Sequence, residues 1–254
     1  MSLSHGAIIL LVGFIAGMIN SVAGGGTLLS FPVLVWLGRT PIPANATNAV
    51  AICPGSLAGM IGFRQEIRGS RRWALLLGLP SLAGAALGAV LLLRTPPAVF
   101  DSIIPLLVLG ATVLFAMQEP VLRLMKLDVD AKRSNSWWAG AMVFQFFVAV
   151  YGGYFGAGMG ILMLAALGLL GLTDIHRMNG LKNFFAACIN GVAAVYFVWS
   201  GSVIWPDVLI MAAGTIAGGY GGAGLARRLG RTFVRRAVVF IGLAMALSLL
   251  LRRR

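Results

Sequence analysis

Two long apolar runs, each interrupted by a cluster of glycines, constrain this chain more than any other feature of its sequence. The first run extends from about Ala7 to Leu37 and is interrupted at Gly24-Gly25-Gly26. The interruption leaves arms of about 15 and about 11 residues, and at about 1.5 Å per residue the second arm reaches only about 17 Å, against about 30 Å for the apolar core of a bilayer. Backbone groups freed at that depth need partners in protein or in a wet cavity. A re-entrant helical hairpin, with a candidate binding site at its break, therefore fits this run better than one straight span.

The composition places nearly the whole chain in a membrane. Of its 254 residues, 59% are apolar and only 11% are charged, which is typical of a polytopic membrane protein. The apolar windows leave no room for a soluble domain, so we predict a single transmembrane domain over residues 1–254. The net charge of +13 lies mainly in loops between apolar runs, as in cytoplasmic loops of membrane proteins, so we expect no nucleic-acid partner. We expect a multi-pass protein of the bacterial cytoplasmic (inner) membrane, surrounded by the lipid bilayer.

The order of elements repeats along the chain. In each half a broken run is followed by three apolar spans, and Leu37–Ile42 aligns weakly with Leu170–Ile175. The second broken run is Trp137–Leu172, and the spans lie near Ala44–Phe63, Trp73–Leu93, Pro97–Met117, Asn179–Trp199, Ile204–Ala226 and Phe233–Leu251. We predict an all-α membrane helical bundle of two repeats, at about 7–118 and about 137–251, joined by a cytoplasmic loop at about 119–136.

The basic loops predict how the repeats are oriented. The three richest clusters, Arg64–Arg72, Arg123–Arg133 and Arg227–Arg236, should all be cytoplasmic. They lie on one side if each broken run enters and leaves the membrane on the same side, and the odd number of spans per half then makes the repeats inverted. Arg252-Arg253-Arg254 would lie outside and is the one feature against this topology.

The glycine breaks favour an anion as ligand. A short helix starting at Thr27 would present free backbone N–H groups and the positive end of its dipole to the break. Glycine permits close approach of the backbone to a ligand, and Asn20, Ser21 and Thr27 would add neutral donors. Gly156 and Gly158, in the second break, predict the same geometry from the other half. The alternative is that all these glycines only allow helices to pack closely.

Lys182 is the most informative single residue, because an ammonium inside an apolar span is costly unless it is paired. It would neutralise an anion, or alternatively extend to the interface from a position near the start of its helix. Asn179, Asn183 and Asn190 share one face of that span, and Asn45, Thr47 and Asn48 open the equivalent span in the first half. These polar residues line a pathway or, alternatively, form hydrogen bonds between helices.

The segment from Gly17 to Thr27, followed by Pro32 and Ala46-Thr47-Asn48, resembles the sulfite exporter TauE/SafE family of bacterial membrane permeases. The resemblance extends over nearly the whole chain and is looser at Gly156–Gly160. It implies transport of sulfite, sulfonates and related small sulfur-containing or organic anions across the cytoplasmic membrane. Lys182 stands where the family often has a small hydroxyl residue, so the resemblance does not name the exact anion.

We therefore expect a transporter, acting as an exporter, that moves such an anion by alternating access and needs no cofactor, metal or catalytic residue. A membrane-embedded enzyme acting on a lipid is an alternative that lacks a catalytic set in the sequence, and a passive anion channel or a membrane assembly factor is another. The sequence leaves open the direction of transport, the coupling ion and assembly into a homo-oligomer. The predicted substrate-binding residues are Asn20, Ser21, Gly24, Gly25, Gly26, Thr27, Thr47, Asn48, Gly156, Gly158, Lys182 and Asn183.

Overall fold

The structure, a computed structural model, describes residues 3–22, 24–117, 135–170, 172, 174–229, 236, 239–244 and 246–248. These residues form helices and turns without a strand, which confirms the all-α prediction for the described part of the chain. The predicted loop Gln118–Ser136 lies almost entirely outside the described residues, as does half of the predicted span Phe233–Leu251. Within that last span, residues 236, 239–244 and 246–248 are helical.

The remaining helices are numbered in chain order. They are α1 Leu3–Val22, α2 Thr27–Trp36, α3 Pro41–Gly62, α4 Arg64–Arg68, α5 Arg71–Arg94, α6 Pro97–Ala116, α7 Asn135–Tyr154, α8 Met159–Leu169, α9 Ile175–Trp199 and α10 Trp205–Leu229. Among the described residues, α1, α5, α6 and α9 are long and apolar enough to cross a membrane, whereas α2 and α8 are apolar but short. Several apolar helices of this length define a multi-pass membrane protein.

Both predicted interruptions are present, and each follows a complete long helix. The first arm is longer than predicted: α1 has 20 residues, so at about 1.5 Å per residue it reaches about 30 Å. Gly24 and Gly156, with φ of 77° and 75°, follow α1 and α7 in the left-handed conformation that ends many helices. The Gly24 amide donates to the carbonyls of Ile19 and Asn20, both at 3.2 Å. The chain therefore turns at the glycines because they alone adopt this conformation without strain.

The two short helices also end alike. The Arg39 amide donates to the Leu34 carbonyl at 3.1 Å, and the Leu172 amide donates to the Leu167 carbonyl at 3.0 Å. In both cases the bond extends back five residues, to a carbonyl in the last turn of the short helix. The ends of the two short helices thus share this hydrogen bond.

Long helices pack in corresponding pairs, α1 with α10 and α5 with α7, while α3 and α9 pack against each other between them. Glycines allow the close approach in both pairs. A Cβ on Gly88 of α5 would lie 2.8 Å from the Tyr154 amide nitrogen, and one on Gly214 of α10 would lie 2.8 Å from the Phe14 amide nitrogen. Gly84/Gly88 and Gly214/Gly218 recur at four-residue spacing, and all four meet backbone or Cβ atoms of the partner helix, so they allow close helix packing.

Candidate functional site

The two interruptions meet each other backbone to backbone. A Cβ on Gly24 would lie 2.7 Å from the Cα of Gly160, and a Cβ on Gly160 would lie 2.7 Å from the Cα of Gly24. Real Cβ atoms do not approach this closely, so the contact exists only because both residues are glycine. Close packing, the alternative to ligand binding, thus accounts for Gly24, and no ligand fits between these two residues.

The N-cap residues of the short helices α2 and α8 are Gly26 and Gly158, and neither helix start has a side-chain cap. The Gly26 carbonyl accepts from the Leu29 amide at 3.0 Å, and the Gly158 carbonyl accepts from the Ile161 amide at 3.0 Å. The first amides of a helix have no acceptor within the helix. At these two helix starts, backbone N–H groups are therefore not capped by a side-chain acceptor.

Gly25 and Gly156 lie in crowded places, as does Gly26, on which a Cβ would lie 2.9 Å from the carbonyl carbon of Ala16 in α1. A Cβ on Gly25 would lie 2.6 Å from a ring carbon of Phe115 on α6, and one on Gly156 would lie 2.9 Å from the carbonyl oxygen of Gly152. All three glycines therefore have a packing reason of their own.

Lys182 is buried and contacts the end of the first interrupted helix. It is 1% exposed, and its Nζ donates to the carbonyls of Asn20 at 3.2 Å and Ser21 at 3.3 Å, in the last turn of α1. Because α9 begins at Ile175, earlier than predicted, Lys182 lies about two turns inside the helix. Its burial excludes the alternative in which it extends to the interface.

No carboxylate balances this ammonium among the described residues. Their ion pairs join Arg39 to Asp207 and Arg177 to Asp174, and Lys182 is in neither. Its partners are the carbonyls of a helix end, which carry about half an elementary negative charge as a dipole. The described partners of the Lys182 ammonium are therefore backbone dipoles and not a carboxylate.

A serine that sequence reasoning missed joins three helices beside Lys182. Ser56 of α3 accepts a hydrogen bond from Asn20 Nδ2 at 3.4 Å and another from Asn190 Nδ2 at 3.3 Å, while its hydroxyl donates to the Ile52 carbonyl. Ser56 lies eight positions after Asn48, on the same helical face. That spacing is the signal that could have identified it.

Asn183 supplies a free donor close to this cluster. Its Nδ2 is buried and has no hydrogen-bond partner among the described residues. A Cβ on Gly59 of α3 would lie 3.3 Å from that nitrogen, so the amide faces the α3 backbone at a glycine. An unpaired buried donor is costly, and an anion would satisfy it.

Asn48 and Thr27 are brought together as predicted, whereas Thr47 is not. Asn48 Nδ2 donates to Thr27 Oγ1 at 3.3 Å, and the Ser30 hydroxyl donates to Asn48 Oδ1. Thr47 instead accepts from the Ile204 amide at 3.0 Å, just before α10. Thr47 thus anchors α10, and Asn48 holds the start of α2.

An ion pair between a buried carboxylate and a 27% exposed arginine joins the two halves at that end of α10. Arg39 donates to both carboxylate oxygens of Asp207, at 2.6 Å and 3.0 Å, and Asp207 has no solvent exposure. The hydrogen bond to Asp207 raises the pKa of Arg39 above its ordinary value. Asp174, at the other end of the bundle, accepts from the amides of His176 and Arg177 and so caps the start of α9.

The described residues include no group of three or more His, Cys, Asp or Glu side chains that could hold a metal ion. They do define a helical membrane protein in which two interrupted helices meet beside a buried lysine. A family model, described as sulfite exporter TauE/SafE, matches residues 9–249. The chain therefore belongs to the sulfite exporter TauE/SafE family, and this membership identifies it as a membrane transporter.

Sequences from several bacteria are similar over nearly their whole length. A probable membrane transporter protein of Haemophilus influenzae is 31% identical, with 94% of this chain and 92% of the relative covered. A probable membrane transporter protein, ORF9, of Sinorhizobium sp. is 26% identical, with 96% and 92% covered, and the probable membrane transporter protein YfcA of Escherichia coli K12 is 28% identical, with 96% and 88% covered. No solved structure matches the chain.

Proposed function

We propose that the protein exports sulfite or a related small sulfur-containing anion, such as an organosulfonate, across the bacterial cytoplasmic membrane by alternating access. The observation that carries this proposal is Lys182, a buried ammonium whose described partners are two backbone carbonyls. Burying a charge without a counter-charge is costly, and a transported anion would offset that cost during each cycle. The family supports a sulfur oxyanion as the cargo.

The neighbours of Lys182 suit an oxyanion because they supply donors. Asn183 provides a buried amide nitrogen without a partner, and Asn20 and Asn190 each direct an amide nitrogen towards Ser56. We place the anion between this cluster and the uncapped start of α2. Residues of both halves would then line the edge of the site. They are Ser21, Gly25, Gly26, Thr27 and Asn48 in the first half and Gly156 and Gly158 in the second. Such a site binds an anion with hydrogen bonds and one positive charge, and it needs no covalent step.

The contacts of α1 and α2 support an inverted repeat of re-entrant hairpins. Gly13 faces Met211 and Gly17 faces Thr215, so α1 runs parallel to α10. The ion pair of Arg39 then ties the end of α2 to the first turn of the same helix. α1 therefore begins, and α2 ends, beside the start of α10, as expected for a hairpin that enters and leaves on one side. Rocking of one repeat against the other would expose the site to each side in turn.

The test is sulfite flux into proteoliposomes that contain the purified protein. Lys182→Met removes the charge, and losing a charge-assisted hydrogen bond costs about 1.5–3 kcal/mol, so KM for sulfite should rise by about 10-fold to 100-fold. Lys182→Arg keeps the charge and should retain saturable flux. Arg177→Met, an exposed cation on the same helix, is the matched control and should transport normally.

Three outcomes would decide against the proposal. If Lys182→Met loses thermal stability but keeps the wild-type KM, Lys182 only caps α1 and does not bind the anion. If the wild type moves acetate but neither sulfite nor the sulfonate taurine, the architecture stands and the substrate class is wrong. Flux that does not saturate would indicate a channel instead.

A further inference from the structure

The two interrupted helices are each contacted at their C-terminal end by a side chain from the long helix of the opposite half. At the end of α1 that side chain is Lys182 of α9. At the end of α7 it is Asn45 of α3, whose Nδ2 donates to the carbonyl of Tyr154, the last residue of α7, at 2.9 Å. Both contacting residues lie within the first two turns of their helices. Each of the two ends is thus contacted by a polar side chain from the other half.

They differ in charge. Each helix end carries a partial negative charge on its last carbonyls. The end of α1 has an ammonium against it, whereas the end of α7 has only the neutral amide of Asn45. The α7 end is therefore the one without a positive group from the protein among the described contacts.

Asn45 also leaves a buried acceptor at this place. Asn45 is 2% exposed, and its Oδ1 has no hydrogen-bond partner among the described residues. Because the Tyr154 carbonyl can only accept, the amide nitrogen must face it, and Oδ1 is the atom left unpaired. Leaving a buried acceptor without a hydrogen bond costs about 1–3 kcal/mol of stability. A cation or a hydrogen-bond donor bound at this oxygen would offset that cost, and the described residues supply neither.

We propose that the end of α7 binds a sodium ion, with Asn45 Oδ1 and the last carbonyls of α7, including that of Tyr154, as its protein ligands. The ion would occupy the position that the Lys182 ammonium occupies at the end of α1. A monovalent ion is favoured because the ligands are neutral oxygens, whereas divalent cations are usually bound with carboxylates. The ends of interrupted helices are general sites for sodium in transporters with inverted repeats.

Sodium bound at this site would be the coupling ion of the transport reaction. Because sodium is usually more concentrated outside a cell, inward movement of sodium in exchange for the outgoing anion would supply driving force for export. This coupling rests on the proposed function, but binding of the ion does not. The first experiment therefore measures binding without any sulfur-containing anion.

Thermal unfolding of the purified protein in detergent, with sodium chloride replaced by choline chloride at constant ionic strength, tests the binding. A ligand that binds only the folded state at 100 times its Kd should raise Tm by about 5 °C or more. Asn45→Leu should abolish this sodium-dependent rise. Gln145→Leu is the matched control, because it removes another buried amide, one that lies on α7 away from its end and bonds Ser81; it should keep the rise.

Asn45→Lys provides an independent variant. It places an ammonium at the end of α7, as Lys182 does at the end of α1, and should make the thermal stability independent of sodium. Binding of radioactive sodium to the wild type, measured directly, serves if either variant fails to fold. Equal Tm in sodium and choline together with no sodium binding, or a full sodium-dependent rise in Asn45→Leu, would overturn the site. A sodium-dependent rise in a protein that moves no anion would overturn the proposed function and leave the site standing.

Discussion

Contact between the two interruptions predicts a large effect of a single methyl group. Gly24→Ala places a Cβ 2.7 Å from the Cα of Gly160 and does so at a φ of +77°. The left-handed conformation costs an L-residue about 1–2 kcal/mol. Overpacking a tight contact costs about 1–3 kcal/mol more. We therefore expect Gly24→Ala to reduce the free energy of unfolding by roughly 2–5 kcal/mol.

Three other glycines separate the two costs. Gly38 has a φ of +87° with nothing within 4 Å of the added Cβ, so Gly38→Ala should show the conformational cost alone. Gly160→Ala adds a Cβ 2.7 Å from Gly24 without a positive φ, and it should show the packing cost alone. Gly110, within α6, has neither constraint, and Gly110→Ala should stabilise by about 0.5–1 kcal/mol through helix propensity.

Equilibrium unfolding in mixed micelles, followed by circular dichroism, measures all four variants against the wild type. The expected order of stability is Gly110→Ala first, then Gly38→Ala and Gly160→Ala, and Gly24→Ala last. Because the two methyl groups would meet at one contact, Gly24→Ala and Gly160→Ala should be non-additive in the double variant. If Gly160→Ala is as stable as Gly110→Ala, the two interruptions do not touch and the arrangement of the site is wrong.

Two further contacts give predictions that thermal unfolding can check. Arg39→Ala leaves the buried Asp207 carboxylate without its partner and should lower the free energy of unfolding by roughly 3–5 kcal/mol. Adding Asp207→Asn to the same chain should recover part of that loss. An unchanged Tm in Arg39→Ala would contradict the ion pair. Ser56→Val removes the acceptor shared by Asn20 and Asn190 and should cost about 1–3 kcal/mol for each stranded amide, whereas Ser56→Thr keeps the hydroxyl and should be close to wild type. Equal stability of the Val and Thr variants would show that the shared hydrogen bonds contribute nothing.

Local features of the fold could be predicted well from the sequence. Both interruptions lie at the glycine clusters, and α2 begins at the predicted Thr27. Glycine acts locally, because a residue without a Cβ adopts the left-handed conformation that ends a helix without strain, as Gly24 and Gly156 do. The start of α9 was placed too late at Asn179, although Asp174 carries a capping signal just before Ile175. With a start at Asn179, Lys182 would lie in the first turn of its helix, near the interface, whereas in the structure it lies about two turns inside α9.

Contacts between the halves could not be predicted in the same way. Lys182 and the Asn20 carbonyl lie 162 positions apart, and Asn45 and the Tyr154 carbonyl lie 109 positions apart. Helical periodicity assigned Asn45, Asn179 and Asn183 to polar faces, but it did not show which of their atoms would lack a partner. The spacing of Ser56 from Asn48 places it on a polar face, but that spacing does not show that Asn20 and Asn190 would both donate to its hydroxyl oxygen.

The sequence by itself determined the membrane class, the helices, the two glycine breaks and the family resemblance, because hydropathy, backbone freedom and motif are properties of short stretches of chain. Only the tertiary structure decided that Gly24 lies against Gly160, that Lys182 is buried at the end of α1, and that Asn45 leaves an unpaired oxygen at the end of α7. A helix presents a face, and the packing of distant helices selects what that face meets. In this protein that selection placed an ammonium at one helix end and a neutral amide at the other.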